Sequence, residues 1–373
     1  MSIRLPAEWE EQDAILMAFP HKNSDWSNNL QSALSVFVRI ASSIATYQKL
    51  ILICDDIEST KELFCYTHNI YFIKLETNDT WIRDYGLISI YRDGIRELLD
   101  FEFNAWGAKF DFNLDNKINE KLLKHRQIGS WSSTKNSQKR EKASFKFKLD
   151  KKIVRKPLKH RQTGSWSSTK VDFVLEGGSI ESDGNGTLIT TSKCLLNPNR
   201  NPSFSKKEIE ERLKEFFGLS RVLWLDHGEL IGDDTDAHVD TLVRFVSEDT
   251  LVYVSCKDQE DEHYEELKKM EKELEQFRTL NDNPYQLIPL PLPTAKYKNN
   301  QRLPATYANF LITNRTILLP TYQDDLDREM ILLFKGLFPS HEIIPINALR
   351  LIEEGGSIHC STMHLPSIQK KFN

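Results

Sequence analysis

The chain alternates short apolar runs with amphipathic stretches. Residues 14–19 and 50–54 are continuous apolar runs of strand length, and between them Leu34, Phe37, Val38, Ala41 and Ala45 recur at helical spacing. That pattern predicts strand, helix, strand, with one helix face packed. Further apolar runs fall at 70–73 and 87–91. The same order returns later, where helical patterns at 205–217 and 324–338 lead to apolar 222–225 and 343–346. Between them, 250–255, the charged stretch 260–278 and 285–290 predict another copy. Counting the two N-terminal units gives about five modules. Each exposes an apolar face that must be buried against a neighbour, which favours one closed, repeat-built α/β domain spanning residues 1–373. Closing such a ring would bring its polar loops to the centre.

Literal repeats support the copying. Leu188-Ile189-Thr190 recurs as Leu311-Ile312-Thr313 at an offset of 123, and Leu195-Leu196 as Leu318-Leu319. Glu176-Gly177-Gly178-Ser179-Ile180 recurs as Glu354-Gly355-Gly356-Ser357-Ile358, which puts Cys360 where the first copy has Ser182. A different duplication lies in the middle. LKHRQIGSWSSTK at 123–135 returns at 158–170 with one change, Ile128 to Thr163.

Charge changes the picture there. Residues 121–170 hold 16 Lys and Arg against 2 Asp and Glu, a local +14, so with 49 basic and 54 acidic residues in all, the remainder carries 33 against 52, or −19. This reads as a basic, solvated surface insertion on an acidic body. Its Lys, Arg, Trp131 and Trp166 resemble a nucleic-acid or membrane-surface patch, but long basic segments are more often plain loops. An acidic body concentrates a small cation and argues against general nucleic-acid binding. No apolar run has the length of a membrane span and the N-terminus lacks a signal-peptide core, so a cytoplasmic protein is expected. Five scattered cysteines without C-x-x-C spacing read as reduced thiols rather than a disulfide framework or zinc site.

Four polar loops carry the candidate chemistry: Asp79 to Asp84 with Trp81 and Arg83; Glu176 before its glycines; Asp233 to Asp240 with Asp234 and His238; and Glu353 to Cys360. Taken singly each has a plain explanation, as a helix cap, a tight turn or a buried cysteine. Calcium is disfavoured, since the Asp-rich run lacks EF-hand spacing and its terminal Glu, and no G-x-S-x-G elbow marks a serine nucleophile. Together they meet one demand. A Cys360 thiolate needs a proton-transfer group, for which His238 is the candidate, and carboxylates at Asp84, Glu176 and Asp240 suit a planar guanidinium held by paired N–H···O contacts.

Asn78-Asp79-Thr80-Trp81-Ile82-Arg83-Asp84, Glu176-Gly177-Gly178, Asp234-Thr235-Asp236-Ala237-His238-Val239-Asp240 and Gly355-Gly356-Ser357-Ile358-His359-Cys360 resemble the four signatures of the agmatine deiminases, grouped with the bacterial peptidylarginine deiminases. Asn199-Arg200-Asn201-Pro202 also resembles that family. The resemblance covers the chain apart from 121–170. It implies the pentein fold, a pseudo-fivefold α/β propeller of five ββαβ modules with the site at the centre. It further implies that Cys360 attacks the guanidinium carbon, that His238 moves protons, and that Asp84 and Asp240 hold the guanidinium nitrogens. Glu176 would support the clamp or His238, and Trp81 would line the pocket, with Arg83 and Asp234 as further substrate-binding candidates. No metal or organic cofactor is implied, the partner is a small cationic guanidino substrate, and a homo-oligomer is left open. The sequence departs from the family pattern at Ala237, Thr241 and Tyr85-Gly86-Leu87-Ile88, which leaves agmatine and a protein arginine as alternative substrates.

Overall fold

The computed structural model describes residues 2–125, 160–163 and 166–368. Most of the basic insertion, including Trp131 and the first repeat beyond His125, lies outside the described residues. Among the described residues, five sheets of three or more strands and one two-stranded ribbon are present. The architecture is mixed α/β.

The five sheets share one connectivity. Val243–Ser247 runs antiparallel to Thr250–Ser255, which leads through the helix Tyr264–Gln276 to the parallel strand Gln286–Pro291. Leu311–Ile312, Thr316–Thr321 and Glu342–Asn347 repeat this around the helix Leu326–Leu337. Glu181–Ser182, Thr187–Thr191 and Arg221–Leu225 do so around Lys206–Phe217, a helix started by a Ser205/Glu208 capping box and ended by Gly218 in the left-handed region. Ile88–Arg92 pairs antiparallel with Ile95–Glu102, whose parallel partner is Trp166–Val174. In the last sheet the C-terminal strand Thr362–Pro366 pairs with Gln12–Ala18, which runs parallel to Lys49–Cys54 and through it to Ile70–Lys74. The two ends of the chain therefore meet in one sheet. All five sheets are open, and strand pairing does not close them into the ring expected from the repeats.

Three expectations need correction. The helix Leu30–Tyr47 buries Ala33, Phe37, Ile40, Ala41 and Ile44 as its central stripe, while Leu34 and Val38 sit at the edge of that face. The match at offset 123 aligns unlike strands: Thr187–Thr191 is the middle strand of its sheet, whereas Leu311–Ile312 is an outer one. The structural counterpart of Thr187–Thr191 is Thr316–Thr321. Third, the insertion's C-terminal repeat is not all loop. His160–Thr163 and Trp166–Val174 form a hairpin, with Leu98 opposite Ser168 in register. Ser168 and Thr169 are buried because that strand completes the sheet.

Candidate active site

Common connectivity puts one polar turn immediately before the first strand of each sheet. Asp84 lies in the short helix Ile82–Tyr85 ahead of Ile88–Arg92. Glu176 precedes the 3-10 turn Gly177–Ser179 and the strand Glu181–Ser182. His238 and Asp240 precede Val243–Ser247, and His359 and Cys360 precede Thr362–Pro366. The fifth turn holds Asn309, ahead of Leu311–Ile312, and no motif in the sequence marks it. Its module position is the signal that would have found it.

These turns converge. A methyl group placed on Gly178 would stand 2.6 Å from His238 Nδ1, 2.8 Å from Asp84 Oδ1 and 3.1 Å from Asp240 Oδ2. Only glycine lets the backbone enter there, and its own N–H donates to Asp84 Oδ1 at 2.9 Å. Asp84 Oδ1 lies 3.6 Å from His238 Nδ1. Cys360 Sγ is 3.8 Å from Asp240 Oδ2 and accepts from Asn309 Nδ2 at 3.2 Å. A backbone bond from Arg83 N–H to the Cys360 carbonyl ties the first and last turns together. Every one of these side chains is buried. Among the described residues, neither ring nitrogen of His238 nor Asp240 Oδ1 has a hydrogen-bond partner in the protein.

Three side chains hold the charged groups. Arg200 Nε donates to both oxygens of Glu176 at 2.9 and 3.0 Å, while its Nη1 donates to Asp236 Oδ2 at 2.7 Å and its Nη2 to the Thr235 carbonyl. Lys109 bridges to the Asp234 carbonyl and Asp236 Oδ1. Trp106 Nε1 donates to Asp84 Oδ2 at 2.9 Å from a segment in which Ala105, Trp106, Gly107 and Ala108 all have positive φ. Glu176, Cys194 and His238 bring potential metal-ligand atoms within 4.8 Å of one another. The guanidinium of Arg200 already occupies Glu176 and disfavours a divalent cation there.

Behind Asp240 stands a second charged group. His359 Nδ1 lies 2.6 Å from Asp240 Oδ2, and its Nε2 lies 2.6 Å from Glu8 Oε2. Glu8 comes from just before the N-terminal strand and His359 from just before the C-terminal one, so the sheet that pairs those strands brings them together. Arg83 and Arg244 also reach Glu8, at 3.4 and 3.2 Å.

Burial and charge set these groups apart. Burial pushes Asp84 well above the usual carboxylate range, and the like charge of Asp240 adds to it. Burial also pushes Asp240 up, but the hydrogen bond and charge of His359, helped by His238 and Arg244, bring it below its ordinary value. His238 is pushed down to about 3 by burial, against the pull of Asp240, so the ring is neutral near pH 7. The Cys360 thiol is raised well above its usual value by burial and then by Asp240 and Asp84. In the absence of a bound cation the thiol stays protonated.

The structure thus brings together Cys360, His238, Asp84, Asp240 and Glu176. Trp81 lies against Gly356 in the turn that carries Cys360, its ring so close that an added methyl on the glycine would stand 2.4 Å from it. Asp234 stands beside Gly355, with its carboxyl raised to about 6 by burial and then by Asp233. Arg83 is not brought to the same place: its guanidinium points away to Glu8, the His359 carbonyl and His364. Asp233 satisfies its own turn, accepting from Thr235 and Ala237 backbone N–H groups, which accounts for the Asp-rich run. Sequence reasoning missed Asn309, His359, Glu8 and Trp106, and it noted the segment holding Arg200 without a role for that side chain.

The family model described as Porphyromonas-type peptidyl-arginine deiminase matches residues 4–366. An agmatine deiminase from Pseudomonas aeruginosa is 29% identical over 98% of this chain and 96% of its own. A solved structure of C. jejuni agmatine deiminase, a Cys-to-Ser variant with substrate bound, is 37% identical with a TM-score of 0.84, covering 98% of this chain and 96% of that one. The solved agmatine deiminase of Enterococcus faecalis, at 24% identity and a TM-score of 0.83 over 99% of this chain and 97% of its own, shares the fold.

Proposed function

The chain belongs to the Porphyromonas-type peptidyl-arginine deiminase family, and from that premise we propose that it hydrolyses the guanidinium of agmatine to N-carbamoylputrescine and ammonia through a covalent intermediate on Cys360. The carrying observation is the convergence of His238 Nδ1, Asp84 Oδ1 and Asp240 Oδ2 beside the Cys360 thiol, with His238 and Asp240 Oδ1 unpartnered among the described residues. Those atoms match what a planar cation offers: N–H donors for the carboxylates, and an amino group that must leave with a proton. The relatives named agmatine deiminase support the small substrate. The common connectivity of the five sheets supports reading the fold as a five-module propeller with this site at its centre.

The chemistry follows from the charges. A guanidinium entering between Asp84 and Asp240 offsets the negative charge that holds the thiol proton on, so ionisation of Cys360 is coupled to substrate binding. His238, neutral before substrate arrives, takes that proton. The Cys360 sulfur attacks the guanidinium carbon; a C–S bond forms, and one C–N π pair moves onto nitrogen. His238 returns the proton to the departing amino group, the C–N bond breaks, ammonia leaves, and an amidino-thioether remains on sulfur. Water then adds to that carbon and gives a proton to His238. The C–S bond breaks as the second water proton passes to the departing sulfur, the ureido product departs, and His238 releases the proton it took to solvent, where it makes up the ammonium ion. Glu176, gripped by Arg200 Nε, stands beside His238.

The test is to incubate purified full-length protein with agmatine, arginine and arginine-containing peptides, measuring ammonia together with the ureido product. Turnover of agmatine supports the reading, and turnover of peptides alone assigns the chain to protein substrates. Absence of turnover on all three sinks it. Cys360→Ala is expected to abolish activity, and acid quenching during turnover should trap an adduct on the Cys360 peptide.

A further inference from the structure

His359 has a carboxylate oxygen at 2.6 Å from each ring nitrogen, Asp240 Oδ2 on one side and Glu8 Oε2 on the other. A neutral imidazole has one N–H and one lone pair, and a lone pair facing an ionised carboxylate is repelled. Both contacts are satisfied when both nitrogens carry protons. The rest of the surroundings suits an imidazolium sandwiched between two anions. Glu8 Oε1 accepts from the Ile312 backbone N–H at 2.8 Å and pairs with Arg244. The His359 backbone N–H donates to Asn309 Oδ1 at 3.0 Å, and its carbonyl accepts from Arg83 Nε. His364 Nδ1 stands 3.9 Å from Glu8. The ring is thus fixed at both ends and along its backbone.

Asp240 is faced by His359, His238, Arg244, Asp84 and Cys360. Its Oδ2 is taken by His359, so the oxygen without a protein partner is Oδ1. Asp84, the other carboxyl at the same point, has Trp106 and the Gly178 N–H as donors but no adjacent cation of its own. Two carboxyls this close do not both ionise readily in a buried site.

We propose that His359 is a positioning residue: held as an imidazolium by Glu8, it makes Asp240 rather than Asp84 the resident anion and turns Asp240 Oδ1 toward the substrate. This rests on the guanidine deiminase reading only for its kinetic consequences. The positive charge on His359 is a property of the protein without substrate. Glu8, far from the reacting atoms, then acts through His359 and never touches the substrate. The opposite splitting, Asp84 ionised and Asp240 protonated, would leave the thiol beside a neutral carboxyl and turn the guanidinium toward Trp106.

The experiment uses the full-length protein with His359→Gln and Glu8→Gln, each checked for folding by circular dichroism. Nitrogen-15 NMR of labelled histidines is expected to give one ring with a proton on both nitrogens, with downfield N–H protons that vanish in His359→Gln. A singly protonated ring at this position overturns the proposal whether or not the enzyme turns agmatine over. In kinetics, loss of an adjacent cation raises a carboxyl by roughly one to three pH units. The acid limb of kcat/KM in His359→Gln therefore moves up by at least about one unit, a loss of about tenfold per unit at pH values below the limb that disappears above it. Glu8→Gln moves the limb in the same direction by less. A uniform loss at all pH values, with the limb unmoved, overturns the proposal and leaves His359 a packing residue. Wild-type turnover in the same series tests the deiminase reading separately.

Discussion

Arg200 lays Nε against both oxygens of Glu176 at 2.9 and 3.0 Å, with neither side chain exposed to solvent. The pair spans two turns of the site, because the same guanidinium reaches Asp236 and the Thr235 carbonyl. Arg200→Ala leaves a buried carboxylate without its cation, a loss of about 3–5 kcal/mol. Denaturant unfolding should register that drop, with turnover lost as well. Arg200→Lys should restore little of either, since an ammonium cannot make the fork.

Gly178 marks how tightly the site is closed. In Gly178→Ala the added methyl displaces His238, Asp84 or both, because the available space is 2.6 to 2.8 Å. Shifts of this kind in positioned groups cost on the order of 100-fold in rate. The expected outcome is a kcat reduced by about 100-fold or more in a protein whose circular dichroism is unchanged.

Asn309 donates to the Cys360 sulfur and accepts from the backbone N–H groups of both His359 and Cys360. Asn309→Asp keeps the acceptor and replaces the donor by a third carboxyl near the thiol. Negative charge favours the protonated thiol, and only the thiolate reacts with alkylating agents. Alkylation of Cys360 by iodoacetamide at pH 8 should slow by about tenfold for each unit the thiol is raised. Alkylation unchanged from wild type would remove Asn309 from the thiol's electrostatics.

Stability should depend on pH through Asp79 and Asp115. Burial raises them to about 7 and about 8; the like charges of Asp25 and Asp234 add to the shift at Asp79, and that of Asp79 adds to the shift at Asp115. Both lie above the unfolded carboxyl value, so the native state binds more protons in the window between. The stability they contribute is full below about pH 4 and is lost as pH rises toward 8. Asp115→Asn keeps an acceptor for the Asn78 N–H while removing that titration. Unfolding midpoints in denaturant between pH 4.5 and 8.5 should fall with pH in wild type and fall less in the variant.

The sequence by itself determined the local order of strand, helix and strand, since hydrophobic period and length specify which stretches can bury one face. It also determined the types of group available for the chemistry: Cys360, His238 and the carboxylates stand out because thiol, imidazole and paired carboxyls in glycine-bounded turns suit few other purposes. Equivalence between modules was not legible from literal repeats, because identical tripeptides such as Leu188-Ile189-Thr190 and Leu311-Ile312-Thr313 occupy unlike strands. What only the tertiary structure decided is which groups face one another. Glu8 and His359 are 351 residues apart and meet because Gln12–Ala18 pairs with the last strand, Thr362–Pro366. Arg83 and Asp84 are adjacent, yet successive side chains in a short helix point apart, so one supports Glu8 from behind while the other faces His238. Charge state follows from those contacts. The same carboxyl is driven up at Asp84 and down at Asp240, and what divides them is burial against an imidazole, a relation that exists only once the chain has folded.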